Sequence, residues 1–228
     1  MRAWSLFLCC TSLVAGAAGA SAQEAGISQT LARDRALRIS NVRYELAFSI
    51  PRDKTSTISG RETVTFVLDD ASRPLLLDFA AESTRRVHSL NVGAESLAPR
   101  LVNGHLELPA SALRAGENRV GIDFDAGDAP LNRNDEFLYT IFVPARAHEA
   151  FPCFDQPDVK ARWTLALDVP EGWAALGNGA EASTSSAGGR TRVTFAETPP
   201  ISTYLFAFAT GKFSVERAER NGRVMRMF

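Results

Sequence analysis

An all-β fold, either a sandwich or an open saddle-shaped sheet, is predicted by three features of the sequence. Short segments alternate apolar and polar residues with a period of two, the pattern of strands with one face on a core. Turn signals rich in Pro, Asn, Asp and Gly separate these segments at short intervals. Room for helix is confined to a turn near Pro109–Gly116 and to the residues before the first strand.

The N-terminus reads as a signal peptide over residues 1–22. Arg2 supplies the positive end, Trp4 to Val14 is apolar apart from Ser5, Thr11 and Ser12, and Ala20-Ser21-Ala22 fits a cleavage site. The apolar run is short of the ~18–20 residues that a membrane span needs. Export to a periplasm or the outside is therefore expected, with no membrane span after cleavage. Residues 23–36 show little strand pattern and are expected to be a short flexible lead-in.

The β domain is expected to occupy residues 37–228. Val42, Tyr44, Leu46 and Phe48 alternate with Arg43, Glu45 and Ala47. After a turn at Pro51–Lys54 the pattern resumes over Ile58–Leu68, where Val64 and Phe66 alternate with Thr63 and Thr65. Pro74–Phe79 is a short run, apolar apart from Asp78, suited to a strand buried on both faces. Val87–Val92, Leu101–Leu108 and Arg119–Phe124 follow, with a hairpin at Asn103-Gly104, since both positions tolerate positive φ. Phe137–Val143, Arg162–Val169, Arg190–Phe195, Tyr204–Thr210 and Phe213–Glu216 complete the series. Ser183–Gly189 reads as a loop of small residues, Gly177–Gly179 as a turn, and Val224–Phe228 as a further strand with no partner after it. That last strand suggests a domain cut short, with an open edge that promotes association.

Composition excludes several functions. Hydrophobic residues make up 45% and charged residues 22% of the chain, too apolar for disorder. The net charge of −1 becomes −2 when Arg2 is removed with the leader, so nothing attracts nucleic acid or an anionic membrane. Cleavage would leave Cys153 without an internal disulfide partner, and packing must hold the core. His88, His105 and His148 include no pair four residues apart, and His148-Glu149-Ala150-Phe151-Pro152 places Pro where a second ligand would stand. His148 reads as a loop histidine and Cys153 as a small core residue. Nucleophile-elbow, dinucleotide and phosphate-loop motifs are absent. No catalytic residue, metal ligand or cofactor site is expected in this chain.

One segment is unusual: Phe151-Pro152-Cys153-Phe154-Asp155-Gln156-Pro157, followed by Lys160-Ala161. Two aromatics, two prolines and a carboxylate able to cap backbone donors predict a rigid buried corner. The segment resembles the Phe-Pro-Cys-Phe-Asp-Glu-Pro and Lys-Ala signature of the aminopeptidase N family of zinc metallopeptidases, with Gln156 in place of Glu. Val42–Leu46 with Ile58–Phe66 resembles the family's opening strands. Pro200–Phe208 with Gly211-Lys212-Phe213 resembles its closing pair.

The resemblance implies a saddle-shaped N-terminal β domain that packs on a zinc-bearing catalytic domain acting on peptides. It implies a non-catalytic part of an exported metalloaminopeptidase that removes N-terminal residues. The family's zinc ligands and general base match no residue here. Its Gln-x-Glu contact to the substrate amino group, aligned without gaps from Phe151, falls on Ile141 and Val143, which cannot pair with an ammonium. Asp135 and Glu136 are the nearby carboxylates that could replace it. The alternative reading is a stand-alone β module that binds a partner without peptidase activity.

Overall fold

A computed structural model describes residues 25–228. The signal-peptide reading of residues 1–22 lies outside the described residues. Four sheets and one α-helix make up the regular structure described. The main sheet has eight strands. In spatial order they are β13 (Glu181–Ala187), β14 (Arg190–Phe195), β11 (Ala161–Pro170), β1 (Ile39–Ser49), β2 (Ser59–Leu68), β8 (Gly116–Asp125), β4 (Val87–Val92) and β5 (Glu95–Ser96). A four-stranded sheet runs β12 (Ala174–Gly177), β15 (Phe208–Gly211), β10 (Phe137–Thr140), β9 (Leu131–Arg133). A smaller sheet joins β3 (Leu75–Asp78), β7 (His105–Leu108) and β6 (Leu101–Val102), and β16 (Glu216–Arg220) pairs with β17 (Arg223–Met227).

Alternation decides which face of the main sheet is covered. Val42, Tyr44, Leu46 and Phe48 of β1 are buried, as are Val64 and Phe66 of β2 and Val120, Ile122 and Phe124 of β8. Because the side-chain period is two, a slip of one residue would turn all of them to water. Tyr44 lies opposite Trp163 in the parallel pairing of β1 with β11, and the two rings stack at 4.2 Å. Trp163 in turn stacks on Phe206 at 4.5 Å, and Phe206 on Phe142 at 6.2 Å. This run of rings fills the space between the main and four-stranded sheets. The hairpin between β6 and β7 turns on Asn103 and Gly104, at φ 47° and 83°.

Several elements differ from the sequence expectation. The lead-in carries α1 (Gln29–Arg38) instead of a flexible segment, capped by the Ser28 hydroxyl, which accepts from the Leu31 amide at 3.2 Å. Arg35 and Arg38 are its buried anchors together with Leu31, so apolar periodicity gave no sign of it. The Arg38 guanidinium donates to the Asp70, Arg73 and Pro74 carbonyls and to Asp34, which pins the helix beside β3. The Ser183–Gly189 segment is mostly strand, as β13. It is an exposed edge with no apolar face to alternate, held by its ladder to β14 and by Ser183–Thr194 and Ser186–Thr191 hydroxyl contacts. Ala174–Gly177 is also a strand.

The closing segments also divide differently. A 3₁₀ turn at Thr203–Leu205 precedes β15, where a single strand was expected. The C-terminal strand has a partner after all: β17 folds back on β16 around Asn221-Gly222, at φ 52° and 73°. Such a dipeptide favours a tight hairpin, because both residues tolerate positive φ. Among the described residues no helix is long and apolar enough to cross a membrane.

Gly60 tests this packing. It lies on the inward face of β2, and a Cβ there would run into the Phe124 ring. Phe124 meets Phe48 and Phe79 edge to face, so it has little freedom to retreat. Gly60→Ala is expected to destabilise the fold by about 1–3 kcal/mol, read from the urea midpoint.

Candidate functional site

The segment Phe151–Gln156 is buried throughout, and Pro157 is exposed. Two prolines and a pair of aromatics fix the path of the chain, and the polar groups of the corner find partners from distant elements. Cys153 exchanges backbone hydrogen bonds with Asp78, at 2.7 and 3.0 Å. The Phe154 amide donates to the Tyr44 hydroxyl at 2.9 Å, and the Thr203 hydroxyl donates to the Phe154 carbonyl at 3.0 Å. The Gln156 side-chain amide reaches the Ala32 carbonyl of α1 at 2.9 Å. The Ser202 hydroxyl donates to the Pro157 carbonyl at 2.6 Å.

Asp78 lies at the centre of this arrangement. The Arg35 guanidinium, 0% exposed, donates to both carboxylate oxygens at 2.6 and 2.7 Å. The His105 Nδ1 lies 2.8 Å from Oδ1, and the Asp155 amide donates to Oδ2 at 2.9 Å. Arg35 also donates to the Leu76 carbonyl and lies over the Phe154 ring at 5.5 Å. Burial by itself would raise the Asp78 pKa, but hydrogen bonds from His105 and Arg35 outweigh it and hold the carboxyl below its ordinary 3.8.

Asp155 makes a second, smaller set. Its Oδ2 accepts from the His148 amide at 3.2 Å and lies 2.7 Å from His148 Nδ1. That hydrogen bond raises the His148 pKa above 6.5 against the opposing effect of partial burial. The Cys153 thiol is buried, and burial pushes its pKa well up, so it is a poor nucleophile. Among the described residues no three His, Cys, Asp or Glu side chains stand where they could hold a metal. The Nδ1 atoms of His105 and His148 are turned to carboxylates. Zinc, which the family resemblance implies for the parent enzyme, finds no donor set among these residues. The chemistry of the corner is structural: it joins α1, β3, β7 and the loop before β11.

A separate feature lies on the outer face of the four-stranded sheet. Tyr139, Ile141, Val143, Leu205 and Ala207 are all exposed. Tyr139 pairs with Ala209, and Ala209 with Leu176, so those three lie in one row across β10, β15 and β12. Beyond the paired residues Phe142 and Phe206 are buried and stack on each other, while Ile141, Val143, Leu205 of the 3₁₀ turn and Ala207 are exposed. Asp135 and Glu136 sit at the other end of β10. Asp135 accepts from the Lys54 amide at 3.3 Å, and Glu136 faces Lys212 at 3.8 Å. The four residues of β10, about 13 Å of strand at ~3.3 Å per residue, stand between them and Ile141 and Val143.

Sequence reasoning missed Arg35, Asp78 and His105. One signal was present: Asp78 closes the apolar run Leu75-Leu76-Leu77, and an acid inside a buried strand requires a partner. The identity of that partner, 43 positions away, was not readable from spacing.

Comparison with known proteins places this geometry. Residues 128–205 match the family described as the peptidase M1 N-terminal domain. Aminopeptidase N of Acetobacter pasteurianus is 27% identical over 165 residues, 72% of this chain and 42% of that protein. Human glutamyl aminopeptidase is 38% identical over 87 residues, 37% of this chain and 9% of that protein. The crystal structure of an M1 zinc metallopeptidase from Deinococcus radiodurans superposes with a TM-score of 0.68 at 18% identity, over 80% of this chain and 44% of that one. This chain thus spans less than half the length of each of these relatives.

Removing one partner of the central pair leaves a buried charge uncompensated. Asp78→Asn is expected to cost ~3–5 kcal/mol, and Phe154→Ala a similar ~3–5 kcal/mol, both read from urea midpoints. Unchanged midpoints would show that the corner does not hold the fold. The pH dependence has two limbs. Asp78, with its lowered pKa, contributes stability above pH 3.8 that is lost as pH falls through its folded value. His148, with its raised pKa, contributes stability that is complete below 6.5 and lost as pH rises through its folded value. His148→Ala should remove the imidazole's share of the loss at rising pH and leave the acid limb, in melts recorded from acid to mildly alkaline pH.

Proposed function

We propose, from the premise that the chain carries an N-terminal domain of the M1, or aminopeptidase N, family, that it is the non-catalytic wall domain of an exported zinc metalloaminopeptidase. The observation that carries this reading is the outer face of the four-stranded sheet. Tyr139, Ile141, Val143 and Leu205 expose large apolar side chains there, within the residues matched to the family. Exposed large apolar side chains of this kind are what another protein body covers. The buried corner beside it keeps the face rigid.

The occupant is a catalytic domain, which brings the zinc. Bound there, zinc would polarise the peptide carbonyl and activate water. The residues of this chain would wall the cleft and restrict the length of peptide admitted. With apolar Ile141 and Val143 at the positions of the family's amino-group contact, this wall offers no carboxylate to an α-ammonium, and recognition of that group falls to the other domain. The leader-like sequence over residues 1–22 supports export to a periplasm or the outside.

Photo-crosslinking from a benzoylphenylalanine placed at position 143, in cells that make the protein, tests the reading. The expected product is a crosslink to a polypeptide segment carrying His-Glu-x-x-His and zinc. A crosslink only to proteins without such a segment would favour the stand-alone binding module. Purified 23–228 is expected to bind no stoichiometric zinc and to release no aminoacyl fluorophore. One zinc per chain with turnover would overturn the assignment as non-catalytic.

A further inference from the structure

Glu62 lies in the middle of the main sheet, on the inward face of β2, and is 1% exposed. Its cross-strand neighbours are Leu46 of β1 and Ile122 of β8, both buried and apolar. Neither carboxyl oxygen has a hydrogen-bond partner. The placement is imposed by register: Glu62 shares its parity with Gly60, Val64 and Phe66, while Arg61 turns outward to pair with Asp123. The strand cannot expel the carboxyl without exposing its whole apolar set.

An ionised carboxylate in such a place costs far more than a neutral acid, so the group keeps its proton. Among the described residues no cation is paired with Glu62. Arg35, the buried cation of α1, has its two NH groups on Asp78 of β3. The other ionisable groups near this side of the core are acids. Tyr44 of β1 and Cys153 of the corner are each disfavoured from ionising first by burial, then by neighbouring acids that include Glu62. Asp78 and Asp155 lie beyond them and add to the same repulsion.

We propose that Glu62 is an acid lock, a core carboxyl that must stay protonated for the main sheet to close on the buried corner, so that alkalinisation loosens this seam. Burial pushes its pKa well above 4.5 in the folded chain, while the unfolded chain titrates near the ordinary value. The folded state therefore holds a proton that the unfolded state has released. The stability tied to that proton is complete below pH 4.5 and is lost as pH rises through the folded value. The lock is independent of the docking face and of any catalytic domain.

The test compares urea melts of the full chain and of Glu62→Gln from pH 5 to pH 9. Between the two pKa values, one retained proton changes the folding equilibrium by about tenfold per pH unit. The native chain is expected to lose stability with that slope relative to Glu62→Gln. The contribution of His148 is common to both proteins and cancels. Parallel curves would overturn the proposal. Because a Gln side chain can itself strain the core, infrared spectra of the native chain at neutral pH give a second readout. A protonated carboxyl band that resists deuterium exchange is expected, and its absence would equally overturn the lock.

Discussion

The carboxylate of Asp78 is the point on which the rest of the structure depends. It accepts from Arg35 on α1, faces His105 on β7 and accepts from the Asp155 amide of the corner, while its backbone bridges to Cys153. Four pieces of chain far apart in sequence are held through one ion. A buried pair of this sort adds little net stability over an apolar replacement, because both charges must leave water. Its contribution is to exclude other arrangements, since any packing that separates the partners strands a charge in the core. This accounts for a helix with almost no apolar face being held against a β domain.

From that point the aromatic core follows. With Cys153 fixed on Asp78, the corner can set Phe151 and Phe154 among the rings of Phe48, Phe66, Phe142, Trp163 and Phe206. Phe48, Phe66 and Trp163 come from the main sheet, and Phe142 and Phe206 from segments flanking β10 and β15. Phe142 and Phe206 are buried, while their neighbours Ile141, Val143, Leu205 and Ala207 are exposed. The exposed face is thus the geometric complement of the buried corner. Buried rings and exposed apolar side chains thus share two short segments, of which residues 141–143 and Leu205 lie within the residues matched to the M1 N-terminal domain.

The polar groups divide by what surrounds them. Asp78, Asp155, His105 and the two terminal nitrogens of Arg35 are held by one another and by backbone groups, and they hold the architecture. Glu62 has no such partners and enters the core as a neutral acid. The same burial that is tolerable for a paired charge forces an unpaired one to change its protonation state.

The sequence by itself determined the all-β class, most strands of the main sheet, the hairpin at Asn103-Gly104 and the corner at Phe151–Pro157. Those features are written in local chemistry: alternation with period two, positive-φ turn residues, and aromatics set between prolines. The burial of Glu62, which has the parity of Val64 and Phe66, came to light only in the structure. Only the tertiary structure decided α1, β13 and the Arg35–Asp78–His105 cluster. The helix is anchored by charges in place of an apolar stripe. The strand β13 has no buried face to alternate, and it exists because β14 lies beside it. The cluster joins residues whose proximity depends on how the sheets stack, and sequence distance carries no information about that. Local periodicity reports which way a side chain faces, but the identity of what it meets is set by packing.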